Sequence, residues 1–547
     1  MKIALAQFNP IVGDIRGNLA RSEEFIARAK SLGADIVTFG ELSILGYPPR
    51  DLLKKDGVVA DSVAAIEKLA KSCDGITAIV GFVRPNPDAS GRPLQNAAAV
   101  LANGRVESVH VKTLLPTYDV FDETRYFEPG HRPGCIEING RRIGLSICED
   151  LWDADALGRE LYGQDPIAML AEDGAELIIN MSASPYEQGK AKTREKLFTR
   201  QAERSGLAIL YVNQVGGNDE LVFDGTSCGI SPSGEIIARA KGFTEDLLLV
   251  DLNEPSQRIE ELDSEMARLS AALKLGLKDY ASKCGFTSVV FGSSGGIDSA
   301  VIAALAADAV GAENVYSIAM PSRYSSDHSL SDAELLAKNL GIHYQVVPIE
   351  PMHSAYEGAM ENLLTGGNID IASENIQARI RGALVMAVSN AFGHLPLATG
   401  NKSELSTGYC TLYGDMCGGL APIGDVLKTL VYELAEQLNV EAGSDRIPRG
   451  IITKAPSAEL KPDQFDQDKL PPYPLLDEVI SRYVERDQTA SQIIDAGFDP
   501  DIVNRAVRMV DANEYKRQQA APVIKVTTKA FGAGRRMPIA QRYVQGG

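Results

Sequence analysis

Residues 288–307 read SVVFGSSGGIDSAVIAALAA: an apolar strand, a loop of Gly and Ser, and an alanine-rich helix whose first turn carries Asp298 and Ser299. Small side chains let backbone N–H groups approach phosphate oxygens closely, and the helix N-terminus adds the positive end of its dipole. The stretch therefore reads as an anion cradle. No Lys-Ser/Thr pair follows the glycines, so the Walker A pattern fails and transfer of a γ-phosphate is disfavoured. Downstream come VYSIAM at 315–320, a helical pattern at 329–340 and YQVVPI at 344–349. Strict alternation of strand and helix predicts a doubly wound parallel sheet with ligands at the carboxyl ends of its strands. Pro, Asp and Lys crowd residues 454–474, which predicts a loop or lid, with helices to follow at 475–486 and 501–518.

Upstream, residues 256–284 place apolar side chains near helical spacing among many charges and predict one long connecting helix. Before it, β-branched runs alternate with helical stretches near 18–32 and 60–72: IALAQF, DIVTFG, ITAIVGFV, AAAVLA, RIGLSIC, ELIINMS, LAILYVNQ and LLLVDL. This is the pattern of a strand-rich, layered α/β domain. The expected division is 1–254 and 255–547, and the sequence shows no internal repeat.

The totals narrow the function. A net charge of −19 repels a phosphate backbone over most of the surface, which argues against broad nucleic-acid binding and leaves room for a local anion pocket. No apolar run is long enough to span a bilayer, and the N-terminus lacks the plan of a signal peptide, so a soluble cytoplasmic protein is expected. Seven cysteines without CxxC pairs suit a reducing compartment and give neither a disulfide framework nor a zinc site.

Three chemically able residues stand just past strands: Glu41 after DIVTFG, Lys112 after VESVHV and Cys148 at the end of RIGLSIC. Attack of a thiol on an amide needs a base for its proton and a cation for the developing negative charge, and Glu41 and Lys112 can supply them. Alone, a strand-end Cys is more often structural. A Cys–His pair with His110 or His131 is the alternative; neither is near Cys148 in sequence. The surrounding text, GELSILGYPPRDLL (40–53), VKTLLPTYDVFDETRYFEPG (111–130) and GLSICEDLW (144–152), resembles the nitrilase or carbon-nitrogen hydrolase superfamily, in its glutaminase branch. That resemblance implies an α-β-β-α sandwich in which Glu41 is the general base, Cys148 the nucleophile and Lys112 the stabiliser of the tetrahedral intermediate. It further implies that Tyr118, Ser184 and Lys190 contact the amino-acid end of L-glutamine. Glu149, beside the nucleophile, can pair with the substrate ammonium. The other six cysteines are taken as mostly structural.

Residues 294–299, SGGIDS, resemble the signature of the N-type ATP pyrophosphatases, enzymes that transfer AMP to a substrate and release pyrophosphate. SENIQARIRGALVMAVSN (373–390) and LATGNKSELSTGYCTLYGDMCGGLAPIGDVLKT (397–429) are similar to the NAD+ synthetase branch of that family. The resemblance implies that ATP is held by Gly292, Ser293, Ser294, Gly295, Gly296, Ile297, Asp298, Ser299, Thr399 and Lys428. It assigns deamido-NAD+ to Asn375, Arg379, Glu404 and Lys516, and Mg2+ to Asp298 and Glu404. Leu412 departs from the pattern, standing where ammonia-dependent relatives carry Lys. Taken singly, Glu404 and Lys428 also read as solvated helix charges and Asn375 as a helix cap. Tyr515-Lys516-Arg517 and Arg535-Arg536 can approach phosphates or a subunit interface, or form a solvated basic tail.

The two halves together predict ATP-dependent amidation of deamido-NAD+ with ammonia released from glutamine, over a sheltered route completed by subunit packing in a homo-oligomer. Two rivals stay open: an amidotransferase acting on another carboxylate, and an amidase whose C-terminal half only binds a regulatory nucleotide.

Overall fold

β1 (Lys2–Gln7) shows how the first half is layered, because both of its faces are buried. In the computed structural model, Ile3 and Leu5 point into one hydrophobic cluster and Ala4 and Ala6 into another. A strand covered on both faces reads as a continuous apolar run, which is why these strands were visible in the sequence. The structure describes residues 1–55, 57–254, 258–365, 367, 369–457, 459–461 and 464–543. They fall into two compact units, Met1–Asp263 and Ser264–Gly547.

The first unit holds two six-stranded sheets. β2 (Ile36–Phe39), β3 (Thr77–Pro85), β4 (Leu94–Ala102) and β5 (Arg105–Val111) extend from β1. The second sheet is built from β6 (Gly134–Ile138), β7 (Arg141–Ile147), β8 (Leu177–Ser182) and β9 (Ala208–Asn213). β10 (Val215–Asn218) and β11 (Leu221–Asp224) pair as a ribbon, and β12 (Cys228–Ile230), β13 (Ile236–Arg239) and β14 (Asp246–Asp251) close the unit. Strand order is β14-β1-β2-β3-β4-β5 in one sheet and β13-β12-β9-β8-β7-β6 in the other. Each sheet has three parallel strands flanked by antiparallel ones. Ile143, Leu145, Leu177, Ile179, Leu210 and Val212 face Ile3, Leu5, Ile36 and Ile79 between the sheets. The helices Ile15–Ser31 and Val58–Ala70 cover the first sheet, and Pro166–Glu172 and Lys190–Ser205 cover the second. The result is the α-β-β-α sandwich expected from the sequence.

Both sheets follow the same course of strand, helix, strand, helix, strand and antiparallel return. The sequence hid this repeat because each copy satisfies the pattern with different side chains. The first helix also starts earlier than expected, since Asp14 caps it by accepting from Gly17 N–H at 2.9 Å.

The connecting helix is shorter than predicted. It runs Glu265–Lys283, capped by the Ser264 hydroxyl. Residues 258–260 are extended instead and pair with Arg239, whose N–H donates to Arg258 O at 2.9 Å and whose carbonyl accepts from Glu260 N–H at 3.1 Å. The first unit therefore extends to Asp263, past the expected boundary at 254; Pro255, Ser256 and Gln257 lie outside the described residues.

The second unit carries the parallel sheet: β15 (Val289–Gly292), β16 (Val315–Ala319), β17 (His343–Val346) and β18 (Leu395–Pro396), in the order β17-β16-β15-β18. The chain leaves β15 toward β16 and returns on the other side as β18, so strand order reverses between β15 and β18. That reversal is where an open α/β sheet offers a ligand crevice. In the C-terminal helical part, the helix predicted at 475–486 is Tyr473–Ile480 followed by a wider π-type turn, Ser481–Glu485. The one predicted at 501–518 is split into Pro500–Ala512 and Glu514–Arg517, because the Asn513 side chain turns back to donate to Met509 O and Thr407 O. Of the expected lid, Ala458, Pro462 and Asp463 lie outside the described residues.

Candidate active sites

In the first unit, Glu41 follows β2, Lys112 follows β5 and Cys148 follows β7, and all three are buried. Lys112 Nζ donates to Glu41 Oε1 at 2.6 Å and to Glu123 Oε1 at 2.8 Å. Asn96 Nδ2 also donates to Glu41 Oε1, at 2.7 Å, and Ala183 N–H reaches Glu41 Oε2 at 3.2 Å. Tyr47 OH donates to Glu123 Oε1 at 2.9 Å. Cys148 opens a tight turn with φ +47°, a left-handed conformation unusual for a residue with a side chain. Asp150 ties this turn to the lysine loop: one carboxylate oxygen accepts from Thr113 N–H and Leu114 N–H, the other from Ile147 N–H.

Burial pushes the Cys148 thiol well up, the charge of Glu41 pushes further and Lys112 opposes them. The resting sulfur is thus a thiol that must lose its proton during attack. Burial works against the Lys112 ammonium, but Glu123 and Glu41 outweigh it and keep the lysine charged. A buried base, nucleophile and fixed cation of this kind can carry out acyl transfer from an amide.

Beside them, Tyr118 OH donates to both Glu149 oxygens at 3.0 Å and Tyr162 OH donates to Glu149 Oε1 at 2.8 Å. Lys190 opens a helix, 3.8 Å from Glu187 and 5.8 Å from the Trp152 ring, and its charge also acts on Glu149. Buried Ser184 donates its N–H to Asn213 Oδ1 at 2.8 Å and neighbours Ala183, which holds Glu41. Sequence reasoning missed Glu123, Asn96, Tyr47, Asp150 and Tyr162. Glu123 lay inside the segment quoted for Lys112, but only its burial separates it from a surface glutamate.

The second site lies at the β15/β18 reversal, around a cavity of ≈290 Å³. Gly292, Ser293, Ser294, Gly296, Ile297, Asp298 and Ser299 line it together with Thr399, Glu404 and Lys428. Gly295 packs away from it: at φ +72°, a Cβ there would lie 2.2 Å from Ser329 O. The helix Ile297–Val310 begins at Gly296 with no side-chain cap, leaving its first N–H groups for an anion. Lys428 Nζ forms an ion pair with Asp298 Oδ2 and lies 3.5 Å from Glu404 Oε1, while Asn401 Nδ2 donates to Asp298 Oδ1 at 2.9 Å. Burial and then Asp298 raise the Glu404 carboxyl to about 8, against Lys428.

The cavity also shows Asp466, which the sequence did not single out. It is 4% exposed, accepts from Tyr473 OH at 2.8 Å through Oδ2 and leaves Oδ1 without a donor among the described residues.

Asn375, Arg379 and Lys516 do not line the cavity; they converge on the loop 408–412 beside it. Lys516 Nζ donates to Gly408 O and Cys410 O at 2.6 and 2.8 Å, Asn375 Oδ1 accepts from Thr411 Oγ1 at 3.0 Å, and Arg379 Nε donates to Leu412 O at 3.2 Å. Of the C-terminal basic residues, Arg517 is buried against Leu405 O, Ser406 O and Glu514, and Arg535 pairs with Glu514 and Asp511. Tyr515 and Arg536 are exposed. All seven cysteines are free. No helix among the described residues is long and apolar enough to cross a membrane.

Comparison with known proteins follows the division of the chain. The family described as carbon-nitrogen hydrolase matches residues 2–260, and that described as NAD synthase matches 269–520. A protein named glutamine-dependent NAD(+) synthetase from Synechocystis sp. is 46% identical over 552 residues, covering 99% of both chains. The solved structure of a glutamine-dependent NAD+ synthetase from Acinetobacter baumannii, in complex with adenosine diphosphate, is 38% identical with a TM-score of 0.78 and covers 98% of both chains. A Cytophaga hutchinsonii structure, 23% identical with a TM-score of 0.83 over 99% of this chain and 98% of its own, shares the fold.

Proposed function

This chain belongs to the glutamine-dependent NAD+ synthetases, ligases that amidate deamido-NAD+ at the expense of ATP with glutamine as ammonia source, and from that premise we propose how its own residues divide the work. What carries the reading is that one chain holds both an enclosed Cys–Glu–Lys group and a phosphate loop flanked by Asp298, Glu404 and Lys428.

Glu41 takes the Cys148 proton as sulfur attacks the glutamine amide carbon, and the Lys112 ammonium faces the oxyanion that forms. Collapse returns the proton to the leaving nitrogen, freeing ammonia and leaving a glutamyl thioester. Water, deprotonated by Glu41, then displaces sulfur and gives glutamate. Glu149, Tyr118 and Lys190 form a charged, hydroxyl-lined end that suits the substrate's α-amino and α-carboxylate groups; Ser184 is the fourth contact we assign there.

In the second unit, the loop 293–299, with the uncapped first-turn N–H groups of the helix that starts at Ile297, binds ATP phosphates, together with Thr399 and Lys428. A carboxylate is a poor acyl donor, so its oxygen first attacks the α-phosphorus and pyrophosphate leaves; ammonia then displaces AMP from the mixed anhydride. Asn375, Arg379 and Lys516 serve deamido-NAD+ by fixing the 408–412 loop. Asp298 and Glu404 are the carboxylates we assign to Mg2+, together with nucleotide oxygens. They fit that role because their oxygens already converge on one cation, the Lys428 ammonium. Among the described residues no three His, Cys, Asp or Glu side chains form a metal site by themselves, so a cation here needs nucleotide oxygens as well. When bound, Mg2+ offsets charge on the phosphates. A sheltered ammonia route, a homo-oligomer and a cytoplasmic setting complete the proposal.

The test is NAD+ formation from deamido-NAD+ and ATP with either glutamine or ammonium. Cys148→Ala should abolish the glutamine-supported reaction and leave the ammonium-supported one. Loss of both, or persistence of glutamine use, sinks the two-site assignment.

A further inference from the structure

Arg381 projects from the helix Ile369–Phe392 into the cavity that the phosphate loop lines. Its Nε donates to Met320 O, just past β16, at 3.0 Å. Among the described residues its terminal nitrogens make no further hydrogen bond and no ion pair. Four buried cations of this chain are, by contrast, each matched by a carboxylate: Arg194 by Asp224, Arg517 by Glu514, Lys402 by Asp425 and Lys428 by Asp298. The two carboxylates whose charge reaches Arg381 are engaged elsewhere. Glu459 accepts from the Ser326 and Ser329 hydroxyls and pairs with Lys454, and Asp415 accepts from Thr411 N–H. Burial accordingly draws the Arg381 guanidinium down to about 10, and these two charges only partly restore it. A guanidinium left unmatched in a partly enclosed site is unfavourable unless an anion completes it.

We propose that Arg381 is a phosphate-binding residue of the synthetase site, its free fork taking oxygens of ATP and of the departing pyrophosphate opposite residues 293–299. The fork matches a tetrahedral oxyanion in a bidentate way that Lys cannot copy. Phosphate is favoured over the carboxylate of deamido-NAD+ because the uncapped helix and the Gly-Ser loop line the same cavity, whereas Arg379, two residues along the helix, is exposed and holds Leu412 O. The inference rests on residues 293–299 being the ATP site.

The experiment is calorimetric titration of the full chain with ATP, inorganic pyrophosphate and, separately, deamido-NAD+, for wild type, Arg381→Met and Arg381→Lys. Expected is a loss of at least about tenfold in ATP and pyrophosphate affinity for Arg381→Met, partial recovery in Arg381→Lys, and unchanged deamido-NAD+ binding. Unchanged ATP and pyrophosphate affinities overturn it, as does a loss confined to deamido-NAD+, which moves the guanidinium to the acceptor. Failure of the wild type to bind ATP would instead fell the reading on which it rests. If Arg381→Met melts early, Arg381→Lys, which keeps stem and charge but loses the fork, carries the comparison.

Discussion

The left-handed backbone of Cys148 costs a non-glycine residue about 1–2 kcal/mol. Asp150, bonded to three backbone N–H groups around it, holds the turn in that shape. The charges near the sulfur are balanced just as closely, and Glu123 is where that balance should be measurable. Burial first, and Glu41 next, lift its carboxyl to about 7, while Lys112 pulls it down. Because this lies above the ordinary value of 4.5, the folded chain holds the proton more tightly than the unfolded chain. The group's contribution to stability is thus fully present below about 4.5 and is lost as pH rises to about 7. Glu123→Gln removes that slope, so the melting temperature of wild type relative to the variant should fall across the window. A constant difference would refute the buried-acid account. Glu41, Lys112 and Cys148 could be found from the text around them, whereas Glu123, in Asp-Glu-Thr, looks like any surface acid until its burial is known.

The phosphate loop keeps its shape through one close approach. Gly295 lies against Ser329 O at a positive φ, so Gly295→Ala must push the loop away from the helix Asp327–Leu340. A displacement near 1 Å in a reacting group lowers rate by about 10²-fold. Ammonium-supported NAD+ formation should drop on that order while glutamine hydrolysis is unchanged; synthesis at the wild-type rate would show that the loop tolerates the shift. The central strands of the sheets were legible because they are buried on both faces, as β1 and β8 are. Helix ends were not. Residues 258–260 carry a helical pattern but are claimed by pairing with Arg239, and Asn513 interrupts a pattern that otherwise runs on to Gln518. Both outcomes depend on partners remote in sequence, which spacing along the chain does not encode.

Across the molecule the two units pose different problems of charge. The first encloses the thiol assigned as its nucleophile with titratable partners, all supplied by the protein. The second is built to receive charge, and its parallel sheet and Gly-Ser loop could be inferred from sequence, but the gathering of Asn375, Arg379 and Lys516 on one loop could not. Within it, the Lys428 ammonium bridges Asp298 and Glu404, the two carboxylates assigned to the divalent ion. A site that supplies its own counter-charge does not need metal in order to fold, unlike small domains that unfold when their zinc is removed. Prolonged dialysis against a chelator should therefore leave the melting temperature where it was, with NAD+ formation returning as soon as magnesium and ATP are restored. A marked fall in melting temperature would mean that Lys428 does not hold those carboxylates together. The chain can accordingly be purified, stored and crystallised metal-free.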